Sequence, residues 1–168
     1  IPDDPEVANL IAAFQKPIAS VLKQKIGFTE TALDRNGALR ELISDSMLEA
    51  TSKAGAVAAF INVGGVRANL EAGDITLGKA NEVQPFRNLL VIVELTGAEL
   101  KAVLETPFIG TEPSGGVLIP SSGTSYDADM KRPVNDRVSQ IIVGGAPIDL
   151  AKQYKCCFLN FTANGGDA

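Results

Sequence analysis

Asn88-Leu89-Leu90-Val91-Ile92-Val93-Glu94-Leu95-Thr96-Gly97-Ala98-Glu99-Leu100 decides the fold class. Five successive branched apolar residues at 89–93 predict a strand over 88–94. Thr96, with Glu99 three residues on, forms a capping box for a helix running to about Glu105. Working upstream, 56–61 is a second apolar run that fits a buried strand, and Leu77–Val83 reads as a short helix closed by Pro85. Leu39, Leu42, Ile43, Met47 and Ala50 keep helical spacing. So do Leu10, Phe14, Ile18, Val21 and Leu22, behind a start at Asp3-Asp4-Pro5 and with a step at Pro17. Gly27 is expected to end that helix, with a short strand at 28–33, and the stretch holding Gly64-Gly65 and Gly73-Asp74 reads as loop. Downstream, 106–136 is rich in Gly, Pro and Ser and reads as loop with short strands. Strands at 137–143 and 154–161, with a turn at Gly144-Gly145, close the chain. Helices first, then strands and helices in irregular alternation, predict an α+β fold with a mixed sheet rather than a doubly wound one.

The chain has 168 residues, the size of one domain, and can bury about 70% of its unfolded surface. Fifteen basic against twenty acidic residues give a net charge of −5, which argues against a nucleic-acid-binding face. Mean hydropathy is +0.13, and no apolar run reaches the ~18 residues of a membrane span. There is no histidine. That removes Ser-His-Asp and Cys-His nucleophiles, His-ligated zinc and mixed His/carboxylate two-metal centres from this chain. The two cysteines, Cys156 and Cys157, are adjacent, so on a strand they point to opposite faces and read as buried, unbridged residues. Ile1-Pro2-Asp3-Asp4-Pro5 matches neither a leader nor an initiator start, and the chain reads as excised from something longer.

Three pieces stand out chemically. Asn62-Val63-Gly64-Gly65-Val66-Arg67 follows a predicted strand, so its glycines can turn sharply and expose N–H groups beside an arginine fork, a setting suited to an anion. No Gly-Lys-Ser/Thr follows, so it is not a P-loop. Gln84-Pro85-Phe86-Arg87-Asn88 puts a phenylalanine either on a loop tip or at a strand entry as a core anchor. Asn160-Phe161-Thr162-Ala163-Asn164-Gly165-Gly166-Asp167 carries an aspartate out of a strand end into a glycine turn.

In this order and spacing the pieces resemble one family. Asn62-x-Gly64-Gly65-x-Arg67, Glu71-Ala72-Gly73-Asp74-Ile75, Val83-Gln84-Pro85-Phe86-x-Asn88 and Leu95-Thr96-Gly97-x-Glu99-Leu100 look like the C-terminal domain of the 5'-nucleotidase and UDP-sugar hydrolase family. Tyr154 and Leu159-Asn160-Phe161-x-Ala163-x-Gly165-Gly166-Asp167 match that domain's closing motif. The likeness covers nearly everything from about residue 28, and implies that 1–168 is one such domain. It further implies a nucleotide or nucleoside substrate and an N-terminal metallophosphoesterase domain, absent from this chain, that holds two divalent metal ions and hydrolyses the phosphoester. A periplasmic or extracellular location is implied in the same way.

By matching motif, Phe86 and Phe161 would sandwich the base and Asp167 would accept hydrogen bonds from the ribose hydroxyls. Arg67 would hold phosphate, while Asn62 and Asn88 would contact the base or orient the site. The family's further phosphate-binding arginine precedes a Leu-Gly-Asn-Leu-Ile stretch that here reads Leu39-Arg40-Glu41-Leu42-Ile43. Leu33 occupies the matching upstream position, so either Arg35 or Arg40 is expected to serve. The family also continues past Gly-Gly-Asp with Gly and an aromatic, where this chain has Ala168. Other readings are the same architecture acting on cyclic nucleotides, UDP-sugars or a sulfur-linked substrate, or a non-catalytic sugar- or protein-binding module. Two base stacks at about 1–3 kcal/mol each and one charged hydrogen bond at about 1.5–3 stand against an association cost of at least about 4. Binding by this half-site alone is therefore expected on the order of millimolar.

Overall fold

The computed structural model describes residues 4–167. In chain order, α1 (Pro5–Gln15) and α2 (Ala19–Leu22) lead to β1 (Lys25–Thr29) and α3 (Ala38–Ser52). Then come β2 (Ala58–Asn62), β3 (Gly73–Thr76), α4 (Leu77–Val83), β4 (Leu90–Thr96) and α5 (Gly97–Glu105). The remainder supplies β5 (Leu118–Pro120), β6 (Ser125–Ala128), β7 (Val138–Val143), β8 (Ala146–Pro147), β9 (Gln153–Leu159) and α6 (Asn160–Ala163).

The principal sheet has the order β4-β9-β2-β5. Its β2–β9 pair is parallel, while β4–β9 and β2–β5 are antiparallel, so the sheet is mixed and the fold α+β as expected. Helices are layered on both of its faces. On one face α5 and β7 bring Leu100, Leu104, Val138 and Ile141 against Ala58, Phe60, Cys156 and Phe158. On the other, α3 brings Leu39 and Met47 against Ala59, Ile61, Cys157 and Leu159. Covering both faces explains why every residue of β2 is buried and its sequence shows no polar alternation. Of these, Phe60 and Ile61 each contribute about 1.5–3 kcal/mol of transfer free energy. The adjacent cysteines fall on opposite faces and are unbridged. Burial pushes the Cys156 thiol up to about 12 and raises Cys157 as well, so both behave as small apolar residues.

Strand direction fixes where the loops meet. β2 and β9 run parallel and β4 runs against them, so the end of β2, the end of β9 and the start of β4 share one rim. Register sets Leu90 opposite Leu159, which makes the segments before β4 and after β9 immediate neighbours.

Several boundaries differ from the sequence expectations. The first strand is Lys25–Thr29, not 28–33; Gly27 lies inside it, where its bare Cα faces Ile75 across the pair with β3. Leu33 makes only an isolated bridge to Leu70. Gly73 and Asp74 belong to β3 instead of a loop, because β1 supplies their hydrogen-bonding partner. The last strand stops at Leu159, and Asn160 and Phe161 open a single helical turn. Asp4 caps α1 by accepting from the backbone N–H of Glu6 and Val7, whereas Asp3 lies outside the described residues. The stripe on α1 forms its helix without burying it: Phe14 is 73% exposed, and Val7, Leu10 and Ile11 are about half exposed or more. Among the described residues no helix is long and apolar enough to cross a membrane.

Candidate functional site

At the end of β2, Asn62 is nearly fully buried and hands the chain to a 3-10 turn over Val63–Gly65. Arg67 follows, its backbone N–H donating to the Val83 carbonyl at 3.0 Å and its guanidinium to the Gly64 carbonyl at 3.3 Å. The first holds the turn against α4 and the second closes the turn on itself. Beyond α4 the chain passes Pro85 and exposes Phe86, whose ring centroid lies 5.9 Å from the Arg67 guanidinium carbon, a cation–π distance. Arg87 then takes the left-handed conformation, φ 51°, that side chains other than glycine seldom adopt. It turns the chain into β4.

The closing segment is stitched to this one. Asn160 donates its backbone N–H to the Leu89 carbonyl and accepts the Leu89 N–H on its own side-chain oxygen, both at 2.8 Å. Phe161 emerges from α6, and a turn through Gly165 (φ 87°) brings the chain to Asp167, itself left-handed at φ 65°. Asn62 Nδ2 donates to Asp167 Oδ2 at 2.7 Å, joining positions 105 residues apart. Strained backbone at two places beside one cleft is the pattern expected where geometry serves a ligand.

Asn62, Gly64, Gly65, Arg67, Phe86, Asn88, Phe161 and Asp167 line a cleft of about 370 Å³. Six of the eight residues singled out in the sequence are thus brought together. Phe86 is 54% and Phe161 43% exposed, so the core-anchor alternative for Phe86 is excluded. Arg35 and Arg40 do not line the cleft. Arg35 donates to the Arg67 carbonyl at 3.3 Å, and Arg40 to the Val63 carbonyl at 3.4 Å and Asn36 Oδ1 at 2.9 Å. Both therefore brace the turn that carries Gly64, Gly65 and Arg67. Burial, and next the neighbouring Arg35, lower the pKa of Arg40. Among the described residues, none of the three arginines has a carboxylate partner.

A larger groove of about 450 Å³ between α3 and the β1–β3 pair, reached by Ile26, Leu42, Met47 and Val83, carries no charged side chain. The smaller cleft combines ring faces, a carboxylate and a guanidinium. Among the described residues no group of three or more His, Cys, Asp or Glu side chains is placed to hold a metal ion. Asn160 stands in the closing motif with no role of its own assigned by the sequence, and nothing in the sequence singles out Gly116, which lies against the Asp167 carbonyl. Asn160 had a usable signal, since its amide sits one residue before Phe161; Gly116, in the long loop, had none.

A mixed sheet covered on both faces, with a polar and aromatic cleft at one rim, defines the class of domain. The chain belongs to the family described as 5'-nucleotidase, C-terminal domain, whose profile matches residues 17–168. It is 31% identical to the trifunctional nucleotide phosphoesterase protein YfkN of Bacillus subtilis over 98% of this chain and 12% of that protein. Protein UshA of Escherichia coli is 29% identical over 99% of this chain and 30% of its own length. A 5'-nucleotidase precursor from Thermus thermophilus superposes with a TM-score of 0.86 at 34% identity, covering 99% of this chain and 35% of that one. A sulfate thiohydrolase from the same organism shares the fold at 22% identity and a TM-score of 0.79. The chain spans about a third or less of the proteins it matches.

Proposed function

We propose that this domain recognises the nucleotide for a 5'-nucleotidase-type phosphohydrolase. The observation that carries the reading is the exposure of Phe86 and Phe161 on one cleft with Asp167 and Arg67. Exposed rings are costly to leave in water unless a flat partner covers them, and a base is such a partner. Phe86 and Phe161 stack on the two faces of the base. Asp167, one oxygen of which is held by Asn62, accepts hydrogen bonds from the vicinal ribose hydroxyls with the other. Arg67 binds phosphate through its fork, and Arg35 and Arg40 keep the turn beneath it positive. Asn62, whose Oδ1 is buried without a partner, and Asn88 complete the polar wall.

Hydrolysis falls to a metallophosphoesterase domain elsewhere in the parent protein, which holds two divalent metal ions, and the parent acts in the periplasm or outside the cell. The chain alone supplies no nucleophile-activating imidazole. Incubated with AMP and a divalent cation, the purified chain should release no phosphate; turnover that follows the protein through purification overturns the inert reading. In the full-length parent, Phe161→Ala should raise KM with a smaller change in kcat, and an unchanged KM removes the base sandwich.

A further inference from the structure

The two groups at the heart of the cleft each rest on a glycine whose backbone would accept a side chain. A Cβ built at Gly166 would fall 2.5–2.6 Å from Cζ, Cε1 and Cε2 of Phe161, so the ring lies where that side chain would be. A Cβ at Gly116 would fall 2.5 Å from the Asp167 carbonyl oxygen and 3.2 Å from the Asp167 Cβ. Neither glycine is among those with positive φ, unlike Gly165 at 87°. Conformational freedom therefore does not require glycine at 166 or 116. The close approach of Phe161 and Asp167 does.

We infer that Gly166 and Gly116 are positioning residues. Gly166 backs one face of Phe161, leaving the other for a planar ligand, and Gly116 lets Asp167 come close enough to be held by Asn62. This rests on the nucleotide reading for its ligand, while the seats themselves are testable without one. Gly166 comes from the closing turn and its N–H donates to the Phe161 carbonyl at 2.9 Å. Gly116 comes from the far loop, held there by the Ser114 hydroxyl two residues before it, which accepts the Gly116 N–H at 3.2 Å. The nearest atoms to a Cβ at Gly166 belong to the Phe161 ring and those to a Cβ at Gly116 belong to Asp167, none of them in the sheet.

Without ligand, NMR of the full chain should show the Gly166 α-protons shifted upfield by the Phe161 ring, an effect lost in Phe161→Leu. The Asn62 side-chain amide should carry a downfield hydrogen-bonded proton that Gly116→Ala removes. An unshifted Gly166, or an Asn62 amide indifferent to Gly116→Ala, overturns the corresponding seat. Titrations with adenosine and 2′,3′-dideoxyadenosine then separate the two roles. Gly166→Ala should weaken both ligands about tenfold, the loss of one stack, yet add less than about twofold in a Phe161→Leu background. Gly116→Ala should weaken adenosine about fivefold and spare the dideoxynucleoside. Equal losses for both ligands in Gly116→Ala, or an undiminished Gly166→Ala effect in Phe161→Leu, contradict the inference. Seats intact by NMR with neither nucleoside bound by the wild-type chain would count against the nucleotide reading instead.

Discussion

Two pairs of phenylalanines make opposite use of the same side chain. Phe60 and Phe158 lie on neighbouring strands with ring centroids 5.3 Å apart and planes 14° from parallel, and both are buried. Phe86 and Phe161 lie on the rim of the same sheet, about half exposed. The inner pair stacks on itself and stabilises the domain; the outer pair stands on separate segments, with Gly166 against Phe161 and the Arg67 guanidinium near Phe86, and stays about half exposed. The carboxylates divide in the same way. Glu105, nearly fully buried, accepts from Lys101 Nζ and from the backbone N–H of Arg137 and Val138. Asp167, on the exposed rim, receives one donor, Asn62. A carboxylate with its acceptors filled inside, against one with a single protein donor among the described residues at the rim, marks the same contrast.

Phe60→Ala should have the largest effect, lowering stability by about 3–5 kcal/mol in denaturant unfolding while the folded protein keeps its nucleoside affinity. A loss under about 1 kcal/mol would mean the inner pair is not structural. Glu105→Gln comes next, at about 2 kcal/mol for the charge-assisted hydrogen bonds it weakens. Burial pushes the Glu105 carboxyl up, but Lys101 and the two backbone donors outweigh it and hold the pKa below the ordinary value. A depressed folded pKa gives stability that is present above the unfolded carboxylate value, about 4.3, and lost as pH falls through the folded one. The variant should therefore show a shallower acid limb, and an unchanged acid limb would contradict the assignment.

Smaller again, Phe161→Ala should cost about 1–2 kcal/mol of nucleoside binding and less than about 0.5 kcal/mol of stability. The reverse pattern would erase the contrast between the pairs. Arg87→Gly should have the smallest effect, a gain of about 0.5–1 kcal/mol, because glycine relieves the left-handed strain at φ 51°. A loss of stability would show that the Arg87 side chain matters more than its backbone.

The main elements were legible because their signals are local and redundant. The apolar run at 89–93, the Thr96–Glu99 capping box and the helical spacing in α3 each name their element without reference to anything distant. Boundaries set by pairing were not: β1 and β3 exist because each supplies the other's partner, and nothing in 25–29 or 73–76 announces that register. The site was legible as a set of residues, since the motifs carry Asn62, Arg67, Phe86, Asn88, Phe161 and Asp167, but not as a geometry. That Arg35 and Arg40 brace a turn instead of lining the cleft depends on where α3 docks. That Gly116 meets Asp167 depends on a loop whose composition says only that it is a loop. The helical spacing of α1 correctly foretold a helix, and burial did not follow, because amphipathic pattern specifies a face and says nothing of what covers it.

Titrating AMP into the labelled chain while following the ring resonances of all seven phenylalanines tests the central claim most directly. Phe86 and Phe161 should shift saturably, with a dissociation constant on the order of millimolar, together with the Asp167 amide, while Phe60 and Phe158 stay still. Shifts absent from the outer pair, or spread equally over the inner one, would contradict it.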